Sequence, residues 1–404
     1  MSTSPSPVVN VDIVIVGGGI AGLWLLNDLR NRGYSAILLE ATALGAGQTL
    51  ASQGMIHGGI KYSLAGALSG ASEAIAEMPD HWRRCLRGAG AVDLRRVRVL
   101  SDHFYLWSTG AAGRMTAFLA SKAVRGRVES VDADGRPPIF RAVDFSGSLY
   151  RLVDMVLDVP SLVAALADTC PDAIYSLAGA ATAWTAADSG RLTLDLGTAT
   201  GTQRLAPAAF VFAAGAGNAG LLATIGAVTP AMQRRPLHQV MVRHRYPHAL
   251  HGHCLGRETT PRLTISSHPA GGGEQVWYLG GTLAEQGVGM APDALIALAR
   301  QELAALLPWI DLGPARWATL AVERAEPRQP RLLRPDQAFA DWAGNGANAL
   351  VAWPTKLTLC PHLADSVVER LTLRGIAPSG APVPVLALPR PALAPTPWET
   401  AFGT

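Results

Sequence analysis

A histidine stands at position 57, after an apolar pair and before two glycines, and a lysine and a tyrosine follow closely: Met55-Ile56-His57-Gly58-Gly59-Ile60-Lys61-Tyr62. These residue types suit proton transfer beside a bound anion. An imidazole's ordinary pKa lies near neutrality, so His57 can accept a proton at physiological pH. Lys61 offers a compact positive charge to a carboxylate or phosphate, and Tyr62 offers a hydrogen bond. Gly58 and Gly59 allow backbone to lie close against a flat ligand. The stretch from Gln48 onward is too rich in glycine and small residues for a helix interior. It is too mixed for a half-buried strand. The same residues also admit a plainer reading, with His57 bonded to the backbone, Lys61 on the surface and Tyr62 in packing.

The elements ahead of this stretch say what it surrounds. Val11 to Val16 reads as a fully buried strand. Gly17, Gly19 and Gly22 form G-x-G-x-x-G, and Leu23, Leu26 and Leu29 follow at helical spacing. Gly33 ends the helix, and Tyr34 to Leu39 reads as a second strand running into Glu40. This βαβ unit predicts dinucleotide binding. Gly17 allows the tight turn, Gly19 the approach of a pyrophosphate, and Gly22 close packing of helix on strand. Ile20 and Ala21 open the helix whose N-terminus favours phosphate. Glu40 accepts hydrogen bonds from an adenosine ribose. Ala41 and Thr42 follow it, so no arginine stands there for a 2′-phosphate. The unit by itself leaves NAD and FAD open.

The chain has 404 residues, 49% of them hydrophobic and 16% charged, with a formal net charge of +3. That composition suits a globular protein of about two domains and speaks against a nucleic-acid partner. Cys85, Cys170, Cys254 and Cys360 are widely spaced, which predicts neither a disulfide framework nor a zinc site. With no basic segment ahead of the first apolar run, the chain is expected in the cytoplasm. Peripheral membrane contact stays open.

The order of motifs resembles the D-amino-acid oxidase superfamily of flavoproteins over most of the chain, which implies FAD. "GAGQTLASQGMIHGG" resembles that family's segment wrapping the pyrophosphate and passing under the isoalloxazine. The resemblance therefore implies cofactor contacts from Gly47, Gln48, Thr49, Ser52, Gln53, Gly54 and Met55. "LDVPSLVAALAD" is similar to the element that re-enters the FAD domain. "FVFAAGAGNAGLL" is similar to the later strand and turn, implying Ala214 and Gly215 near the cofactor. "KLTLCPHLADSVVERL" is similar to the closing loop and helix, implying Thr355, Lys356, Leu357 and Thr358 at the flavin O2/N1 edge. Glycerol-3-phosphate dehydrogenases carry His-Gly-Gly-x-Arg-Tyr and Gly-Lys-x-Thr runs, matched here by His57 to Tyr62 and Thr355 to Thr358. Ser52 to Tyr62 also follows the S-x-G-x-I-H-x-G-I-x-Y flavour of L-2-hydroxyglutarate oxidases and dehydrogenases. Lys61 replaces the arginine, Trp353-Pro354-Thr355 replaces a glycine-rich approach, and the chain is too short for the glycerol-3-phosphate enzymes' extra C-terminal helical domain.

The fold class expected is α/β: a discontinuous Rossmann-type FAD-binding domain (1–85, 155–227, 335–375) with an α+β substrate domain on a largely antiparallel sheet (86–154, 228–334). A Pro-rich arm (376–404) follows, read as extended over the surface or disordered. Catalytic candidates are His57, Lys61, Arg324 and Lys356, with Arg257 and Arg262 as further anion anchors. Arg324 leads only through the resemblance. His248, His251 and His253 look like a metal cluster, but Pro247 and Gly252 suggest a loop, and no metal is expected. The activity expected is oxidation of a small anionic hydroxy compound, with oxygen, a quinone or a carrier taking the electrons. An amino-acid or secondary-amine oxidase of the same fold is the alternative. A covalent flavin link through His57 is a further reading. A flavin-binding interaction module and an NAD-binding protein are rivals of other kinds.

Overall fold

A computed structural model describes residues 8–59, 70–109, 128–187, 190–199, 201–256, 260–330, 335 and 337–403. Lys61, Tyr62 and Arg257 lie outside the described residues. The run Ile13–Val16 is buried on both faces, as a central parallel strand must be. It begins two residues later than the sequence pattern predicts, although Val11 is itself buried. Around it the sheet runs in the order Ile174–Ser176, Ala36–Glu40, Ile13–Val16, Ala209–Phe212, Ala349–Trp353 and Phe339–Trp342. All neighbours are parallel except the last pair. Helices Ile20–Asn31, Val159–Thr169 and Cys360–Leu373 bury their apolar residues against it. A second, four-stranded sheet covers this core through Trp184, whose ring meets Phe210 edge-on at 4.8 Å.

The other half is an eight-stranded sheet from Arg316–Pro327 through Met232–His244, Gln275–Gly280, Leu263–Pro269, Gly252–Cys254, Phe104–Trp107 and Leu149–Leu152 to Val128–Ser130. Every pair is antiparallel except Gly252–Cys254 with Phe104–Trp107. Helix Pro292–Leu306 covers one face, where Leu295, Ala299 and Leu306 meet Val240, Ile265 and Trp277. A short sheet of Met55–Ile56, Met155–Leu157 and Val99–Ser101 completes the fold. Among the described residues no helix is long and apolar enough to cross a membrane.

The proline-rich arm runs extended over the surface, one of the two readings made for it, and is hydrogen-bonded to what it crosses. It crosses the parallel sheet's edge, where Ser176 N–H donates to the Pro389 carbonyl (2.7 Å) and Leu44 N–H to that of Ala392 (2.8 Å). It ends in helix Pro397–Phe402, opened by a Thr396–Glu399 capping box. Trp398 on that helix is buried and stacks on His268, ring centroids 5.3 Å apart, over the large sheet. Prolines suit a strap of this kind because their fixed φ lowers the entropy lost on docking.

Of the three histidines expected in a loop, His253 is in a strand while His248 and His251 lie in the connection before it. His253 belongs to strand Gly252–Cys254, its Nδ1 2.8 Å from Thr264 Oγ1. His251 Nδ1 accepts from Ser267 N–H. Among the described residues no group of three His, Cys, Asp or Glu side chains could hold a metal ion. Burial pushes His251 down to about 3, helped by His268 and His103 nearby, and pushes His268 and His244 down to about 4. All three fold neutral, whereas the unfolded chain protonates them below about pH 6.5. Their contribution is therefore fully present above that pH and is lost as pH falls towards 4. His251 and His268 each contribute a slope of up to about 1.4 kcal/mol per pH unit in that window. Urea midpoints are expected to drop between pH 6.5 and pH 4.5, and replacing His268 with Gln to flatten the slope. A midpoint constant over that range counts against the account.

Candidate functional site

The glycine turn is shaped by close contacts. Gly17 has φ 117°, and a Cβ there would lie 2.6 Å from Ala214 Cα on the neighbouring strand's turn. A Cβ at Gly22 would lie 1.9 Å from the Gly17 carbonyl oxygen, so only glycine lets the helix start this close to the strand. Gly19 caps the helix with no side-chain bond of its own. Thr49 Oγ1 accepts the Ile20 N–H at 3.0 Å, leaving Ala21 and Gly22 N–H without intrahelical acceptors, as in any first turn. Glu40 Oε2 accepts the Gly18 N–H at 2.5 Å, and Oε1 accepts the Thr42 N–H at 2.7 Å. The acidic residue thus braces the turn, and a carboxylate has further lone pairs for a ribose. Ala41 beside it is exposed.

The loop that follows reaches the second sheet as well. Gln48 Oε1 accepts the Ala325 N–H at 3.0 Å, and Gln53 Nε2 donates to the Tyr278 carbonyl at 3.1 Å. Gly47 is exposed with φ 66°. Ser52 Oγ is buried with no hydrogen-bond partner among the described residues. Gly54 has φ 69°, and a Cβ there would lie 2.1 Å from the Leu157 carbonyl. Met55 and Ile56 pair with Val156 and Met155.

The closing segment arrives from the far end of the chain. Trp353 Nε1 donates to the Gly215 carbonyl at 3.0 Å, and Ala214 N–H donates to Asn218 Oδ1 at 2.8 Å. Thr355 has φ 60°, the only non-glycine among the described residues with positive φ. Lys356 N–H bonds back to the Pro354 carbonyl at 2.7 Å across it, a tight three-residue turn. Backbone held this way costs about 1–3 kcal/mol and clusters where function needs it. A short 3-10 turn, Leu357–Leu359, leads into helix Cys360–Leu373 with Pro361 in its first turn, as the sequence predicts. Burial pushes the Cys360 thiol up, so it stays protonated and unreactive.

Thr358 joins the two motif stretches. Its hydroxyl accepts the His57 N–H at 3.1 Å, and its carbonyl accepts Trp82 Nε1 at 2.9 Å. His57 and Lys356 are both buried. Gly58 N–H donates to Asp154 Oδ1 at 2.9 Å. Asp154, Trp82 and Asn218 escape sequence reading because nothing in their local patterns marks them. Arg324 is half-buried on the edge strand, its Nε donating to the Arg235 carbonyl at 3.3 Å. Arg262, expected as an anion anchor, is paired instead with Glu302 through two bonds of 2.7 and 3.0 Å, so its charge is already met.

These residues fit a dinucleotide with a flat ring system. The cradle admits no side chain at Gly17 or Gly22, the first helical turn presents N–H donors, and Ser52 Oγ stands buried without a partner among the described residues.

Comparisons with known proteins agree. The family model described as FAD dependent oxidoreductase matches residues 12–349. A probable FAD-dependent oxidoreductase of Pseudomonas aeruginosa, PA4991, is 51% identical over 397 residues, covering 98% of this chain and 99% of that protein. Its crystal structure superposes with a TM-score of 0.83 at 45% identity, covering 99% and 100% of the two chains. The aerobic glycerol-3-phosphate dehydrogenase of Escherichia coli K12 is 39% identical over 66 residues, 16% of this chain and 13% of that one. A glycine oxidase from Geobacillus kaustophilus shares the fold, with a TM-score of 0.62 at 19% identity, covering 90% and 95%.

Replacing Gly22 with Ala is expected to force the helix off the strand, at a cost of about 1–3 kcal/mol. Thermal unfolding with and without added FAD checks it, and a variant that melts and retains flavin like the parent would refute the close-packing account.

Proposed function

Because the chain belongs to the DAO family of FAD-dependent oxidoreductases, we propose that it oxidises a small anionic hydroxy compound, a glycerol-3-phosphate-like molecule or a 2-hydroxy acid. The observation that carries this reading is the hydrogen bond between His57 N–H and Thr358 Oγ1, across 301 residues of chain. It sets a buried histidine and a buried lysine on two adjoining segments. FAD supplies the two-electron acceptor when bound. Gly17, Gly19, Gly22 and Glu40 would hold its dinucleotide part, and Ser52 and the Thr355–Thr358 turn its ring end. His57 takes the proton that leaves the substrate hydroxyl, since an alcohol cannot surrender hydride without losing that proton. Lys356 provides the positive charge that holds an anionic group. The N-terminal end of helix Cys360–Leu373 adds partial positive charge on the same side. Lys61 is the other cation of this reading, though it lies outside the described residues. Oxygen, a quinone or a carrier would reoxidise the protein.

A second reading, an amino-acid or secondary-amine oxidase, is favoured by the fold shared with glycine oxidase. An amine reacts as its free base and needs no strong proton acceptor. The local match to glycerol-3-phosphate dehydrogenase favours the hydroxy reading.

Anaerobic titration of the yellow protein separates the two, using glycerol-3-phosphate, L-2-hydroxyglutarate, D-amino acids, sarcosine and proline, and following loss of flavin absorbance. Bleaching by a hydroxy compound is expected, and bleaching by amines alone overturns the proposal. With a bleaching hydroxy substrate, His57→Asn is expected to lower kcat by about 10²–10⁴-fold. Lys356→Met is expected to raise KM roughly tenfold or more. An unchanged kcat in His57→Asn removes the base assignment.

A further inference from the structure

We propose that Asp154 is a positioning residue for His57, a role that rests on reading His57 as the proton acceptor. Four observations point to it. The Gly58 N–H donates to Asp154 Oδ1 at 2.9 Å in a buried setting. Met55 pairs with Val156 and Ile56 with Met155, and Asp154 comes just before that strand as His57 comes just after its partner. Asp154 is only 5% exposed, and a carboxylate taken out of water is costly unless hydrogen bonds replace its hydration.

The fourth observation is what His57 lacks without this hold. Two glycines follow it, and Gly59 has φ 78°. Glycine carries no side chain to pack and is the most mobile residue type, so the segment cannot fix an imbalance in its own orientation. It is fixed from outside, on two sides. Thr358 takes the His57 N–H from the closing loop, and Asp154 takes the next N–H from the link between strands Leu149–Leu152 and Met155–Leu157. Asp154 is held in turn, because the guanidinium of Arg83 donates to the carbonyl of the preceding Val153. A base oriented by a third group at hydrogen-bond range is the arrangement that general-base chemistry requires. Here the orientation runs through the backbone beside the base. No bond to the ring is needed for it.

The test compares Asp154→Ala, Asp154→Ser and Asp154→Asn in the yellow holoprotein. The readouts are kcat and KM with a bleaching substrate, and the ring signals of histidine labelled with 13C. The His57 signal is identified as the one lost in His57→Asn. The Ala and Ser variants withdraw the acceptor from Gly58. They are expected to shift or broaden the His57 ring signal and leave the other histidines in place. They are also expected to lower kcat by about 10²-fold with little change in KM, the cost of a displacement of about 1 Å at a reacting group. Asparagine keeps an Oδ1 in the same place and is expected to restore the His57 signal and most of kcat.

An unmoved His57 signal in Asp154→Ala or Asp154→Ser overturns the proposal, as does failure of asparagine to restore it. If both shortened variants are insoluble while asparagine behaves as the parent, Asp154 serves folding alone and the proposal also falls. The ring signal needs no turnover, so the two ideas fail separately. A normal rate in His57→Asn would remove the base reading while leaving a shifted ring signal in Asp154→Ala intact.

Discussion

The hydrogen bond from His57 N–H to Thr358 Oγ1 carries more of this architecture than its own small energy suggests. A bond of this kind nets about 1 kcal/mol, but leaving the buried N–H without an acceptor costs about 1–3 kcal/mol. The penalty makes the contact close to obligatory. Once it forms, the strand Met55–Ile56, the closing turn and the first turn of helix Cys360–Leu373 have one relative placement. The same threonine orders Trp82 through its carbonyl, tying helix Gly70–Leu86 to the same point. Thr358 therefore links three segments that are remote in the chain.

The glycine turn shows a second constraint of the same type. Its geometry leaves no room for a side chain at Gly22, and the Glu40 carboxylate fixes the Gly18 N–H. Steric exclusion and a charged hydrogen bond act together, so the turn is already formed when a dinucleotide arrives. Preorganised donors lose less entropy on binding than donors that must be gathered. The loop after it does something else. Gln48 and Gln53 span from the parallel half to the antiparallel half, binding backbone groups at Ala325 and Tyr278. The two residues that the family resemblance places on the cofactor thus also register the two sheets against each other.

Much of this was legible in the sequence because it depends on local pattern. The apolar run Ile13–Val16, the glycine spacing and the Leu23, Leu26 and Leu29 periodicity each report on neighbours a few residues away. Pro361 likewise marks a helix start wherever it stands. Arg262, which by itself reads as a surface or structural arginine and only as a candidate anchor, is paired with Glu302 forty positions on, a partner no local pattern announces. His253 was placed in a loop because Gly252 was read as a turn residue, whereas a Cβ there would lie 2.7 Å from Trp107. Glycine marks close approach in a strand as readily as it marks a turn. The arm's helix was missed because prolines dominate its composition and Trp398 finds its partners on another sheet.

The charge distribution around the site follows from burial. His251 and His268 are kept neutral by burial, so they serve as hydrogen-bonding groups and not as cations at neutral pH. Arg235 and Glu326, both deep in the edge pair of strands, cancel one another through bonds of 2.8 and 2.7 Å. Arg262 is cancelled by Glu302 in the same manner. Positive character concentrates instead at the closing turn, where Lys356 and the start of helix Cys360–Leu373 coincide. That turn is also where Thr358 holds the His57 backbone. The closing segment therefore carries Lys356 and also holds the backbone of His57, while Asp154 holds the N–H of the next residue.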